Sequence, residues 1–183
     1  ISTFRNAYSF FEMYANADHI DPREYDIPVK DRELIDRWLI SKLNKLIKGV
    51  NEAYSEYDLN KAAKLIVPFL NDDLSNWYIR RNRDRFWASN MDDSKKSVYQ
   101  TTYEVLTGLC KLMAPLTPFV TDEIYRNLTD EEIDIATERI YKKLLTIDKK
   151  NGNRYFCCHF YEVVMKKFFT KESLKSFLLV NLG

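Results

Sequence analysis

Ile35, Leu39, Leu43, Leu46, Val50 and Ala53 recur at steps of three and four residues, which is the spacing of one face of an α-helix. A rod of that length runs about 28 Å, and it is stable only if other apolar faces cover its stripe. The rest of the chain supplies such faces in the same form. Phe4, Ala7, Tyr8, Phe11, Tyr14 and Ala15 mark a first helix that closes near Asn16. A third, begun by Asp58 or Asn60, lines up Ala63, Ile66, Leu70, Leu74 and Trp77, and a fourth lines up Val98, Thr102, Val105, Leu109 and Leu112 or Met113. Four glycines in 183 residues leave few turn positions for a β architecture. The fold class that follows is all-α, a helical bundle.

Prolines and caps punctuate it. Residues 17–30, with Asp21-Pro22 and Pro28, read as a connection, after which Asp31 can cap the second helix. Pro68 lies inside the third helix, where it removes a backbone donor and predicts a kink. Met91-Asp92-Asp93-Ser94 is a break with a cap. Ala114-Pro115-Leu116-Thr117-Pro118 ends the fourth helix and restarts one through Leu128. Beyond it, Thr129-Asp130-Glu131-Glu132 is a capping box for a helix bearing Ile133, Ala136, Ile140, Leu144 and Ile147. Residues 154–164 read as a strand or a buried helix segment, and residues 171–182 as a last short helix. The expected organisation is a bundle over residues 1–128 and a C-terminal extension over 129–183.

The formal net charge is only +1, so a polyanion partner requires a local patch. One exists in the third helix. Asn76, Arg80, Arg83 and Trp87 fall at i, i+4, i+7 and i+11, beside a second row of Tyr78, Arg81, Asn82 and Arg85. Guanidinium forks suit phosphate oxygens and an indole suits a nucleobase, a pairing that single-stranded RNA requires. Asn76, Arg80, Arg83 and Trp87 are therefore the candidate RNA contacts, while Arg81 and Arg85 either assist or pair internally. The plainer reading is a solvated face in which these arginines pair with Asp72, Asp73 and Asp84. Trp38 and Trp77, on apolar stripes, are assigned to the core. Ile79 and Phe86 lie off the main core stripe, and they motivate the alternative of a structural module that docks on a neighbouring catalytic domain, with RNA contacts elsewhere.

Other chemistries lack their residues. Asp58, Asp72, Asp73, Asp84, Asp92 and Asp93 read as caps and arginine partners. Cys157, Cys158 and His159 are adjacent, without the spacer a zinc site uses. His19 is one of only two histidines, and there is no glycine-rich phosphate loop. No catalytic residue and no metal ligand are assigned. Three cysteines without framework spacing point to a reducing compartment, and the sequence holds no apolar run long enough for a membrane span. A cytoplasmic location is expected, with no membrane partner. A chain opening on Ile1 instead of Met reads as a piece of something longer.

Four segments carry a resemblance: Arg5-Asn6-Ala7-Tyr8-Ser9-Phe10-Phe11, residues 35–44 (Ile35-Asp36-Arg37-Trp38-Leu39-Ile40-Ser41-Lys42-Leu43-Asn44), residues 73–81 (Asp73-Leu74-Ser75-Asn76-Trp77-Tyr78-Ile79-Arg80-Arg81) and Met113-Ala114-Pro115-Leu116-Thr117-Pro118-Phe119. In that order and spacing they resemble the anticodon-binding helical domain of isoleucyl-tRNA synthetases, class I aminoacyl-tRNA synthetases, over residues 1–128. The resemblance implies a bundle that holds the anticodon stem-loop of an isoleucine-accepting tRNA and packs beside the parent's catalytic domain. It also implies that ATP-dependent aminoacylation belongs to that missing domain, so no cofactor is expected in this chain. The His-Ile-Gly-His signature of the catalytic domain is absent; His19-Ile20-Asp21 does not match it. Asp93-Ser94-Lys95-Lys96-Ser97 looks similar to the synthetase Lys-Met-Ser-Lys-Ser loop, but it precedes a bundle helix and reads as a capped helix start with two exposed lysines.

Overall fold

A computed structural model describes residues 1–129. The expected elements over 130–183, together with Cys157, Cys158 and His159, lie outside the described residues; Thr129, expected to cap the next helix, is the last residue of a helix that starts at Pro118. Helix α1 (Ser2–Asp18) buries Phe4, Ala7, Tyr8, Phe11 and Ala15, and stops where His19 turns left-handed at φ 52°. Two short 3₁₀ turns follow, Pro22–Glu24 and Val29–Asp31. Helix α2 (Leu34–Ser55) buries Leu39, Leu43, Leu46, Val50 and Ala53, as its spacing predicts. It does not start at Asp31. Arg32 is buried, with its guanidinium on Glu104 at 2.7 and 3.0 Å, on Thr101 and on the Ile27 carbonyl, and its backbone is extended. The helix therefore cannot begin until the chain has passed that anchor.

Helix α3 (Leu59–Pro68) is capped by Asp58, whose carboxylate accepts from the Lys61 N–H at 2.8 Å. Directly after Pro68 the backbone changes register into a π-helix, Phe69–Ile79, followed by the short α4 (Arg83–Trp87). The predicted break at Pro68 is thus a change of helical pitch, in which the Arg80 N–H reaches back five residues to the Ser75 carbonyl. Helix α5 (Asp93–Met113) begins at an Asp92 cap, with 2.7 Å from the Lys95 N–H, and α6 (Pro118–Thr129) begins at the expected proline.

The long rods α2 and α5 pack on each other. α3 and the π segment lie along α2, α1 lies against the π segment and α5, and α6 lies on α5. No strand occurs among the described residues, and the bundle class stands. An aromatic cluster knits α1, α4 and α5: Phe86 meets Phe10 edge-on at 5.1 Å and Tyr99 at 5.0 Å. Cys110 is wholly buried, and burial pushes its thiol up to about 12. A folded chain at pH 8 therefore holds almost no Cys110 thiolate, and iodoacetamide labelling mapped by mass spectrometry should leave Cys110 unmodified until denaturant is added. Rapid native labelling there would contradict this packing.

Candidate nucleic-acid interface

The π register decides which side chains face out. Inward positions are Phe69, Leu70, Leu74, Tyr78 and Ile79, recurring at intervals of four and five where an α-helix would alternate three and four. Each wider turn rotates later residues back, so Tyr78 and Ile79 take the inward place that α-helical spacing gives to Trp77. Trp77 is 48% exposed, a correction to its assignment to the core. Trp38 is partly buried against the core, as expected. Ile79 and Phe86, which α-helical counting placed off the core stripe, are 6% and 1% exposed. They are satisfied inside this bundle and require no docking partner.

The arginines divide into two sets. Arg85 turns inward, its side chain 14% exposed. Its Nη1 and Nη2 donate to the two oxygens of Asp36 at 2.9 Å each. Other guanidinium hydrogens go to Asn82 Oδ1, Ser94 Oγ, the Ser94 carbonyl and Ser97 Oγ, at 2.6–2.9 Å. Asp36 is completely buried, and it also accepts from Tyr78 Oη at 2.6 Å and Ser97 Oγ at 3.0 Å. Burial first, then the Asp36 charge, holds the Tyr78 phenol well above its ordinary range, so it remains a donor. Ser94 Oγ in turn donates to Glu33. Arg85 thus pairs internally, the second of the two roles open to it from sequence. The Asp36 to Arg85 knot clamps α2, the π segment, α4 and the start of α5 together.

Arg80, Arg81 and Arg83 face outward with Asn76. None of the four side chains has a hydrogen-bond or ion-pair partner among the described residues. The pairing expected with Asp72, Asp73 and Asp84 does not form: Asp73 bonds Lys42 at 3.3 Å instead. Arg81 lies over the Trp77 ring at 4.4 Å. Trp87 is 55% exposed and donates its indole N–H to Tyr14 Oη at 2.7 Å, which fixes the ring beside α1. Lys95, expected to be exposed, is 2% exposed: its ammonium is held by the Ala88 carbonyl at 2.6 Å and by Asp18 at 2.7 Å. Lys96 is partly exposed and reaches Asp93 at 3.4 Å.

Sequence reasoning brought Asn76, Arg80, Arg83 and Trp87 to one outward strip, and the structure keeps them exposed. What it missed is Asp36. The signal was present, because a carboxylate at 36, three residues before Leu39 on the same stripe, is a charge on a buried face and requires a buried cation.

Exposed guanidinium groups and two exposed indoles, Trp77 and Trp87, thus share this all-helical bundle. The chain belongs to the family of anticodon-binding domains of tRNA ligases, whose model matches residues 36–171. Among curated proteins it is similar to the isoleucine–tRNA ligase of Bacteroides thetaiotaomicron, at 50% identity over 127 residues. It is also similar to those of Porphyromonas gingivalis, at 46% over 136 residues, and Clostridium novyi, at 46% over 128. These matches cover 69%, 73% and 70% of this chain. The chain spans only 11–12% of the length of those relatives.

Proposed function

We propose that the chain is the anticodon-arm-binding bundle of an isoleucine–tRNA ligase, and that Arg80 and Arg83, with Asn76 and Trp87, contact the anticodon stem-loop of an isoleucine-accepting tRNA. The observation that carries this reading is the set of outward guanidinium groups left without a carboxylate in a chain of net charge only +1. Arginine positions the phosphate backbone, and an indole anchored by its N–H leaves a ring face for an unpaired base. Arg85 contributes by holding the strip in place. On this reading the bundle adjoins a catalytic domain of the same parent enzyme, in the cytoplasm; that domain uses ATP to activate and transfer isoleucine, and the bundle itself performs no covalent step. The family and the 50% identity to an isoleucine–tRNA ligase support it. The docking alternative has lost its motive, because Ile79 and Phe86 are already covered.

The test is a titration of isoleucine tRNA at several salt concentrations. An Arg80→Ala, Arg83→Ala chain should bind at least tenfold more weakly. The slope of log affinity against log salt should also fall by about 1.4–1.8, at 0.7–0.9 per phosphate contact. Unchanged affinity and slope would remove both arginines from the role.

A further inference from the structure

A second feature of this surface lies on the side facing α2. Trp77 and Trp38 meet at 6.4 Å between ring centroids, tilted by 55°. Arg81 covers Trp77 at 4.4 Å, and Lys42 covers Trp38 at 5.4 Å. Four side chains thus form a ladder of cation, indole, indole and cation, with one indole half exposed. Apolar surface of this kind is normally buried, and the sequence reading had placed both rings in the core. Here the π register turns Trp77 out to 48% exposure, with a guanidinium and a neighbouring ring beside it.

The charge around the ladder is one-sided. From Arg37 to Asn51, helix α2 carries Arg37, Lys42, Lys45 and Lys48 and no aspartate or glutamate, and Arg37, Lys45 and Lys48 are exposed. Trp38, Lys42 and Lys45 stand at i, i+4 and i+7, so the basic row continues along the edge of the ladder. The nearest carboxylate on the facing helix, Asp73, is neutralised by Lys42 at 3.3 Å. One exposed apolar side chain, Leu34, stands a helical turn before Trp38, and the rest of this edge of α2 is basic. The edge thus exposes lysines and arginines in a chain of net charge +1.

We propose that Arg81, held over Trp77, is a second RNA platform: an unpaired base of the bound loop stacks on the guanidinium and the adjoining indole, while Lys45 and Lys48 take the neighbouring phosphates. The inference rests on the RNA-binding reading above and adds to it a stacking role for Arg81, with Trp77, a residue the spacing assigns to the core. A guanidinium has two faces and an edge. Arg81 Cζ stands 4.4 Å from the Trp77 centroid and the residue is exposed, so a base can stack on the guanidinium while its N–H donors serve a phosphate or a base carbonyl. Because the indole already fixes the side chain, little rotamer freedom is lost on binding.

The experiment uses the full chain with two probes: a stem-loop RNA carrying an isoleucine anticodon, and the same stem as a blunt duplex without a loop. Arg81→Ala and Trp77→Ala should each weaken stem-loop binding by about 5- to 150-fold, the range for loss of one base stack, and leave duplex binding unchanged. Arg81→Lys, which keeps the charge and loses the plane, should lose most of the same affinity. Trp77→Phe should restore most of it. In a Trp87→Phe chain, the remaining indole fluorescence should be quenched by the stem-loop and not by the duplex. Full affinity in Arg81→Ala, or full rescue by Arg81→Lys, overturns the platform; because Arg81 is exposed, that variant decides the matter even if Trp77→Ala folds poorly. If Arg80→Ala, Arg83→Ala still weakens binding in that case, the general RNA reading survives and the indoles face a protein. If the unaltered chain binds neither RNA, both readings fall.

Discussion

Arg85→Ala is expected to destabilise the bundle by about 3–5 kcal/mol, the cost of breaking a buried ion pair from one side. Asp36 has no exposure to water, and its two oxygens receive four hydrogen bonds, two of them from Arg85. Removing the guanidinium strands a carboxylate in the interior and also leaves Asn82, Ser94 and Ser97 short of a donor. Arg85→Lys should recover only part of the loss, since the three donors of an ammonium cannot replace the guanidinium's bonds to Asp36, Asn82, Ser94 and Ser97 together. Urea unfolding at neutral pH measures the effect. A double change of Arg85 and Asp36 to alanine should cost less than the sum of the single changes, because neither charge is then abandoned. A loss under 1 kcal/mol for Arg85→Ala would mean that water reaches the site and that the knot does not hold the strip.

That result would also separate the two kinds of arginine that a linear reading mixes together. Arg80, Arg81, Arg83 and Arg85 lie within six residues, and charge alone does not distinguish them. Position relative to the backbone does. The bundle itself was legible because α1, α2, α5 and α6 keep one period throughout: Phe4 to Ala15, Leu39 to Ala53 and Val98 to Met113 are buried where α-helical counting places them. Asp92 and Pro118 mark helix starts by chemistry that acts locally, so they too were readable. The misplacements have tertiary causes. Asp31 lost its cap role to Arg32, whose partners Thr101 and Glu104 are some seventy residues away along the chain. Lys95 is buried because Asp18 and the Ala88 carbonyl converge on it from two other elements. Thr101, Glu104 and Asp18 lie outside any local window of sequence around the residues they hold.

The remaining difference comes from pitch, and it yields the sharpest stability contrast. Phe86→Ala should destabilise the bundle by about 3–5 kcal/mol, the usual cost of emptying a buried aromatic site. Its ring is 1% exposed and sits edge-on to Phe10 and Tyr99. Trp77→Ala, which deletes a larger ring, should cost under about 1.5 kcal/mol, because about half the residue is already in water and its ring partners are a guanidinium and the tilted ring of Trp38. An uninterrupted α-helix from Asp58 to Trp87 would reverse that order, with Trp77 on the core stripe beside Leu70 and Leu74 and Phe86 off it. Paired urea melts of the two variants therefore read out the backbone register after Pro68 without any structural probe. A larger loss for Trp77→Ala than for Phe86→Ala would restore the α-helical register, return Trp77 to the core and take away the exposed indole on which Arg81 rests.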